Sequence, residues 1–152
     1  MQVWRIAKRS HALDRQGIGA RLAGGRWNSP GVAAIYAGMT PEIAALEKLV
    51  HTSGILPQDL VLAVLALPSD EQLYQRLTAA ELPAGWDALP SSIVAAKIGD
   101  DFLQGSSHLG LIVPSAIMPE ASNIVLNPDH PTFTKISIRL IRHFEFDSRL
   151  ST

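Results

Sequence analysis

Glu47 lies on the apolar side of a segment that reads as a helix, Thr40-Pro41-Glu42-Ile43-Ala44-Ala45-Leu46-Glu47-Lys48-Leu49-Val50-His51. Ile43, four residues before it, and Val50, three after it, share its face. A carboxylate aimed at a core side usually has a cationic partner or a chemical task. Upstream lie Arg26, in the glycine-rich turn Gly24-Gly25-Arg26-Trp27-Asn28-Ser29-Pro30-Gly31, and Tyr36, in the run Ala33-Ala34-Ile35-Tyr36-Ala37-Gly38. An arginine supplies planar, permanently charged donors. A tyrosine offers a flat face and an orienting hydroxyl. The three together suggest a site for a polar, phosphate-bearing ligand.

The elements that must position them follow from pattern. Thr40 suits an N-cap, Pro41 the first helical position and Glu42 the positive end of the helix dipole, so a helix is predicted from Thr40 to about Thr52. Val3 to Ala7 reads as a strand, and Val32 to Ala37 as a short apolar run closed by Gly38. Leu60 to Leu67, β-rich and bounded by Pro68, reads as a central strand. The five glycines between Gly17 and Gly31 argue for loop. Residues 69 to 90 read as short helical pieces and loops. A second helix starts at Ser91 or Ser92, carries Ile93, Val94, Ala96, Ile98, Phe102 and Leu103, and ends at Gly105. Strands are predicted at Leu109 to Val113, at Asn123 to Leu126, and at Lys135 to Phe146 with a bulge near Ile141. Without regular βαβ alternation the class is α+β: one compact domain over residues 1 to 152, a twisted mixed or antiparallel β core flanked by helices.

Composition narrows the function. The 152 residues are 47% hydrophobic and 18% charged, enough for a sizeable core. A formal net charge of −1 gives no footprint for nucleic acid or an anionic membrane. With no cysteine, disulfide scaffolds, thiol catalysis and Cys-zinc sites are excluded. None of the five histidines pairs with another at i, i+4 on one helix, so no metal site is expected. Met1 to Ile6 lacks the design of a secretory signal and no apolar run could span a bilayer, so a cytoplasmic location is expected. Asp70, Glu71, Asp100 and Asp101 read as solvated surface. Asn127-Pro128-Asp129-His130-Pro131 reads as a turn that shapes a loop.

The run Gly19-Ala20-Arg21-Leu22-Ala23-Gly24-Gly25-Arg26-Trp27-Asn28-Ser29-Pro30-Gly31, the Tyr36 strand and Ala45-Leu46-Glu47 resemble the RES domain family. So do Val113-Pro114-Ser115-Ala116, Leu126 to Pro131 and Phe146 to Leu150. The resemblance implies the toxin half of a bacterial type II toxin–antitoxin pair. Its antitoxin would be an Xre-type helix-turn-helix protein whose C-terminal part inhibits it. A homodimer within a larger complex is expected by analogy. The implied fold is similar to that of ADP-ribosyltransferase toxins. The implied activity is consumption of NAD+ as substrate, with no further cofactor, by hydrolysis, phosphorolysis or transfer of ADP-ribose to a protein. At matching positions it assigns Glu47, Arg26 and Tyr36 to catalysis, and Arg5, Arg26, Tyr36, Ser115 and Asn28 to substrate binding. Gly38 departs from the pattern, since many relatives carry a small hydroxyl residue there.

The chemistry agrees with that assignment. Breaking the nicotinamide–ribose bond resembles glycoside hydrolysis, with an oxocarbenium-like transition state. Nicotinamide leaves neutral from a cationic nitrogen, so no acid is required and one ionised carboxylate suffices. Singly, the residues have plainer readings. Glu47 could pair with His51 or form a buried ion pair with Arg26. Arg26 could be structural, Tyr36 a core-edge aromatic and Ser115 an ordinary turn residue after proline. Their combined spacing favours a functional site. A non-catalytic nucleotide- or partner-binding module and a degenerate member that only regulates with its antitoxin are the alternatives.

Overall fold

The computed structural model describes residues 1–152 apart from Ser53, Ser106 and Thr152. Seven strands form one sheet: β1 (Gln2–Lys8), β2 (Ile35–Gly38), β3 (Leu60–Ala66), β4 (Tyr74–Arg76), β5 (Gly110–Pro114), β6 (Ser122–Leu126) and β7 (Ser137–Phe144). Three α-helices accompany them: α1 (Ile18–Ala23), α2 (Pro41–Val50) and α3 (Ile93–Gly105). The spatial order is β4-β5-β6-β2-β1-β3-β7. Only β4 and β5 run parallel; every other neighbouring pair is antiparallel. The architecture is the α+β class that the sequence predicts.

The pairing is uneven, and the unevenness matters. β1 and β3 align over seven residue pairs, and β2 and β6 over four. Between β1 and β2 there is one, Trp4 with Gly38. The sheet is therefore nearly split at its middle into β4-β5-β6-β2 and β1-β3-β7. Alternation along the strands then sorts the side chains. Ile35, Ala37, Ile124, Leu126, Val3 and Leu65 face one way, into a core that Phe133 and Ile136 help to fill. Tyr36 shares the other face with its partner Val125. There α3 lays Ala95, Phe102 and Leu103 against Trp27, Trp86, Leu111 and Val113. On that same face α2 covers β1, with Ala44 and Ala45 against Trp4, Ile6, Leu60 and Leu62.

Local chemistry explains the elements. Thr40 accepts from the Ile43 N–H at 3.2 Å and so caps α2, with Pro41 in its first turn. Ser92 caps α3 through the Val94 N–H. The bulge lies where it is predicted: Leu62 pairs with Arg142 and Ala63 with Leu140, which leaves Ile141 as the extra residue. Asn127 and His130 do shape a turn, their side chains accepting from the Asp129 and Thr132 N–H groups.

Two elements differ from expectation. Ile18–Ala23, read as loop, is a short helix whose turn is started by Asp14, which accepts from the Gln16 and Ile18 N–H groups. It buries no residue, so no apolar stripe announces it. β4, inside the segment read as helical pieces and loops, is only three residues long and is held by β5. Asp100 is also not surface: it accepts from both the Ser29 N–H (2.8 Å) and the Ser29 hydroxyl (2.6 Å), tying α3 to the Arg26 turn.

α3 approaches that turn most closely at Gly99, where any Cβ would overlap the Trp27 carbonyl oxygen. Gly99→Ala is expected to cost about 3 kcal/mol, the upper end of ordinary overpacking. Urea unfolding of the variant beside the parent chain measures it.

Candidate active site

Glu47 projects from the second turn of α2 and is half-buried. Its Oε1 accepts two hydrogen bonds, from the Ser115 hydroxyl at 2.7 Å and from Asn123 Nδ2 at 2.6 Å. Neither plainer reading of Glu47 holds. His51 bonds the Glu47 backbone carbonyl rather than its carboxylate, and Arg26 is engaged elsewhere. Both donors are neutral, and the described residues include no ion pair to this carboxylate. Charge-assisted bonds of this kind are short and strong, and neutral donors leave the charge of the carboxylate uncancelled.

Ser115 is fully buried just past the end of β5. Its hydroxyl accepts from the Ile117 and Met118 N–H groups at 3.1 and 3.2 Å and gives its single proton to Glu47. The hydroxyl that the resemblance assigns to substrate binding thus directs its proton at the carboxylate. Asn123, near the start of β6, pairs with Gly38 on one side and Val113 on the other. Gly38 is required for this arrangement. A Cβ there would lie 2.7 Å from Ile43 Cγ2 and 2.8 Å from the Ala44 nitrogen. Glycine lets α2 settle onto β2, where a hydroxyl side chain would push it away.

Tyr36 stands two residues from Gly38 on the same face, a diagonal neighbour of Asn123. Its hydroxyl donates to Asn28 Oδ1 at 2.6 Å and accepts from the Trp27 N–H at 3.0 Å. Burial holds its pKa far above the usual phenol range, so it stays protonated. Asn28 is almost wholly buried and also donates to the Ala20 and Val32 carbonyls. The space these groups occupy explains Gly25, where a Cβ would sit 2.8 Å from the Tyr36 hydroxyl. Arg26, at the tip of this turn, donates from Nη1 to the Trp86 and Ala88 carbonyls at 2.9 and 3.0 Å. Trp86 stacks on Trp27, ring centroids 6.2 Å apart. Residues 86 to 88 are therefore fastened over the turn by both a guanidinium and a ring.

Arg5 is one residue past the Trp4–Gly38 join, where β1 parts from β2. Alternation puts it on the opposite face from Trp4 and Tyr36. Its Nη1 is buried with no hydrogen-bond partner. Burial lowers its pKa, and Asp14 opposes that shift. Lys48, next to Glu47, is lowered first by burial and then by the charges of Lys8 and Arg5. Arg5, Lys8 and Lys48 thus lie near enough for the first two to act on the third. The structure unites Glu47 with Ser115, and Tyr36 with Asn28 and the Arg26 turn, on one face; Arg5 lies on the opposite face of β1, next to the split. A cavity of about 440 Å³ between α3 and residues 75 to 83 contains none of these side chains. Among the described residues no cluster of three metal-ligating side chains occurs, and no helix is long and apolar enough to cross a membrane.

Sequence reasoning missed Asn123 as a site residue. Its signal is parity: two residues before Val125, on the face that α2 covers.

Comparison with known proteins identifies the family to which the chain belongs. The model of the RES domain family matches residues 2–148. A Sphingobium protein named "Prs ADP-ribosylating toxin" is 40% identical, covering 97% of this chain and 94% of its own length. A protein named "Toxin Res" from Pseudomonas putida is 38% identical over 99% of both chains, and one from Yersinia enterocolitica 36% identical over 99% of both. Among solved structures, the Mycobacterium tuberculosis MbcT–MbcA toxin–antitoxin complex contains a chain of the same fold. The TM-score is 0.70 at 17% identity, covering 99% of this chain and 86% of that one.

Tyr36→Phe leaves Asn28 Oδ1 and the Trp27 N–H without their partner. It is expected to destabilise the chain by about 2 kcal/mol, read as a lower urea midpoint with an unchanged slope.

Proposed function

The chain belongs to the RES domain family, and we propose that it is the toxin of a bacterial toxin–antitoxin pair. In this reading it cleaves the nicotinamide–ribose bond of NAD+ by hydrolysis or phosphorolysis, depleting NAD+ and arresting growth. The observation that carries it is the carboxylate of Glu47, fixed by two neutral donors and, among the described residues, in no ion pair. Cleavage passes through an oxocarbenium-like state at the ribose C1′. The C–N bond breaks with its electron pair moving to the pyridinium nitrogen, and nicotinamide departs neutral. What the site must supply is negative charge beside the ribose, and Glu47 supplies it. When water is the nucleophile, Glu47 also accepts its proton.

The other residues fit the remainder of NAD+. Arg5 offers a buried, unpartnered guanidinium nitrogen to the pyrophosphate, with Lys8 and Lys48 reinforcing the positive field. The Tyr36 ring lies against nicotinamide or ribose while its hydroxyl holds the Asn28 turn. Arg26 keeps residues 86 to 88 as a wall and retains Nε and Nη2 for a phosphate oxygen. Ile117 and Met118, exposed just after Ser115, and Leu89 and Ile93, exposed beside the segment that Arg26 holds, flank the site with apolar surface. An Xre-type antitoxin covering them would close it. Transfer of ADP-ribose to a protein is the second reading, favoured by the name of the 40%-identical relative.

The test is NAD+ incubated with the purified chain, with and without inorganic phosphate, products resolved by mass. Nicotinamide release is expected, falling on the order of 100-fold or more in Glu47→Gln. Arg5→Ala is expected to raise KM about tenfold with a smaller change in kcat. Free ADP-ribose identifies water as acceptor, and its phosphate ester identifies phosphate. Nicotinamide released only when a protein extract is present supports the second reading. Undiminished release by Glu47→Gln would remove Glu47 from catalysis.

A further inference from the structure

We propose that Asn123 is a positioning residue for this reaction: together with Ser115 it captures Oε1 of Glu47, so that Oε2 is the oxygen presented to the ribose. The inference rests on the catalytic reading of Glu47 given above. Two hydrogen bonds, at 2.6 and 2.7 Å, converge on the same carboxylate oxygen. Two donors use the in-plane acceptor directions of that oxygen, whereas Oε2 has no partner among the described residues. The carboxylate is thereby prevented from rotating about its last bond, and one oxygen is reserved.

The two donors are themselves held. Asn123 is carried on a strand paired on both sides, with Gly38 and Val113. The Ser115 hydroxyl is oriented by two backbone N–H groups, which leave its proton no other direction. The neutrality of both donors also has a purpose. A lysine or arginine in place of Asn123 would anchor the carboxylate equally well, but would cancel the charge that a developing cation needs. An amide anchors without neutralising. It must present its NH2 group, since its carbonyl oxygen would repel the carboxylate.

Two substitutions separate anchoring from packing. Aspartate matches the shape of asparagine but turns the donor into a second carboxylate. Leucine has similar bulk and neither donates nor repels. Anchoring ranks turnover as Asn above Leu above Asp; packing alone ranks Asp next to Asn. Asn123→Leu is expected to lower kcat on the order of 100-fold, as for a catalytic group displaced by about 1 Å, with KM within about threefold of the parent. Asn123→Asp is expected to fall further. Asn123→Asp turnover at or above that of Asn123→Leu would overturn the proposal.

Thermal unfolding gives a second, activity-independent reading. The double-mutant cycle of Glu47→Leu and Asn123→Leu measures the coupling between the two side chains. The two losses of Tm are expected to be well short of additive, because either change removes the same bond. Additive losses would overturn the anchoring bond itself. Coupling in a chain whose parent releases no nicotinamide from NAD+ would instead sustain the anchor and contradict the catalytic reading on which its role depends.

Discussion

A half-buried carboxylate cannot stand without partners, and the way Glu47 obtains them organises much of this molecule. Its two donors come from the loop after β5 and from β6. α2 must therefore lie across the end of those strands as well as on β1. Gly38 makes that seat possible, because a side chain there would meet Ile43 and Ala44. The Ser115 loop is wound so that two N–H groups converge on one hydroxyl. Helix position, glycine placement and loop shape all answer to one carboxylate held by two neutral donors.

A second network holds the wall opposite. Asn28 gathers Ala20 of α1, the loop at Val32 and the Tyr36 hydroxyl onto one buried amide. Asp100 fixes the same turn from α3 through Ser29. With the turn immobile, Arg26 and Trp27 can grip residues 86 to 88. These groups look chemical in the sequence, yet much of their bonding capacity is spent inside the fold. Arg5 is the contrast, a buried guanidinium with a donor left over at the point where the sheet divides.

Much of this was legible beforehand, for physical reasons. α2 announces itself by its cap, its proline and its apolar face; β3 by a run buried on both sides; the bulge in β7 by a break in alternation. α1 was not legible, since a helix that buries nothing has no periodicity. Nor was β4, which owes its pairing to a distant partner. At the site, residue types and spacings singled out Glu47, Arg26 and Tyr36, but the destination of each hydrogen bond depends on contacts far apart in the chain. Glu47 and Asn123 are 76 residues apart, and no local pattern joins them. Asp100 was misread for the same reason, its partner being 71 residues away.

If Glu47 acts by charge on the bond being broken rather than by gripping the substrate, binding and cleavage must separate at this one residue. The most direct measurement is calorimetric titration of NAD+ into Glu47→Gln protein, with nicotinamide assayed in the same sample. Saturable binding near the parent's KM with no nicotinamide formed is the expected result. Loss of binding would make Glu47 a ligand contact only, and nicotinamide formed at the parent's rate would contradict its catalytic role.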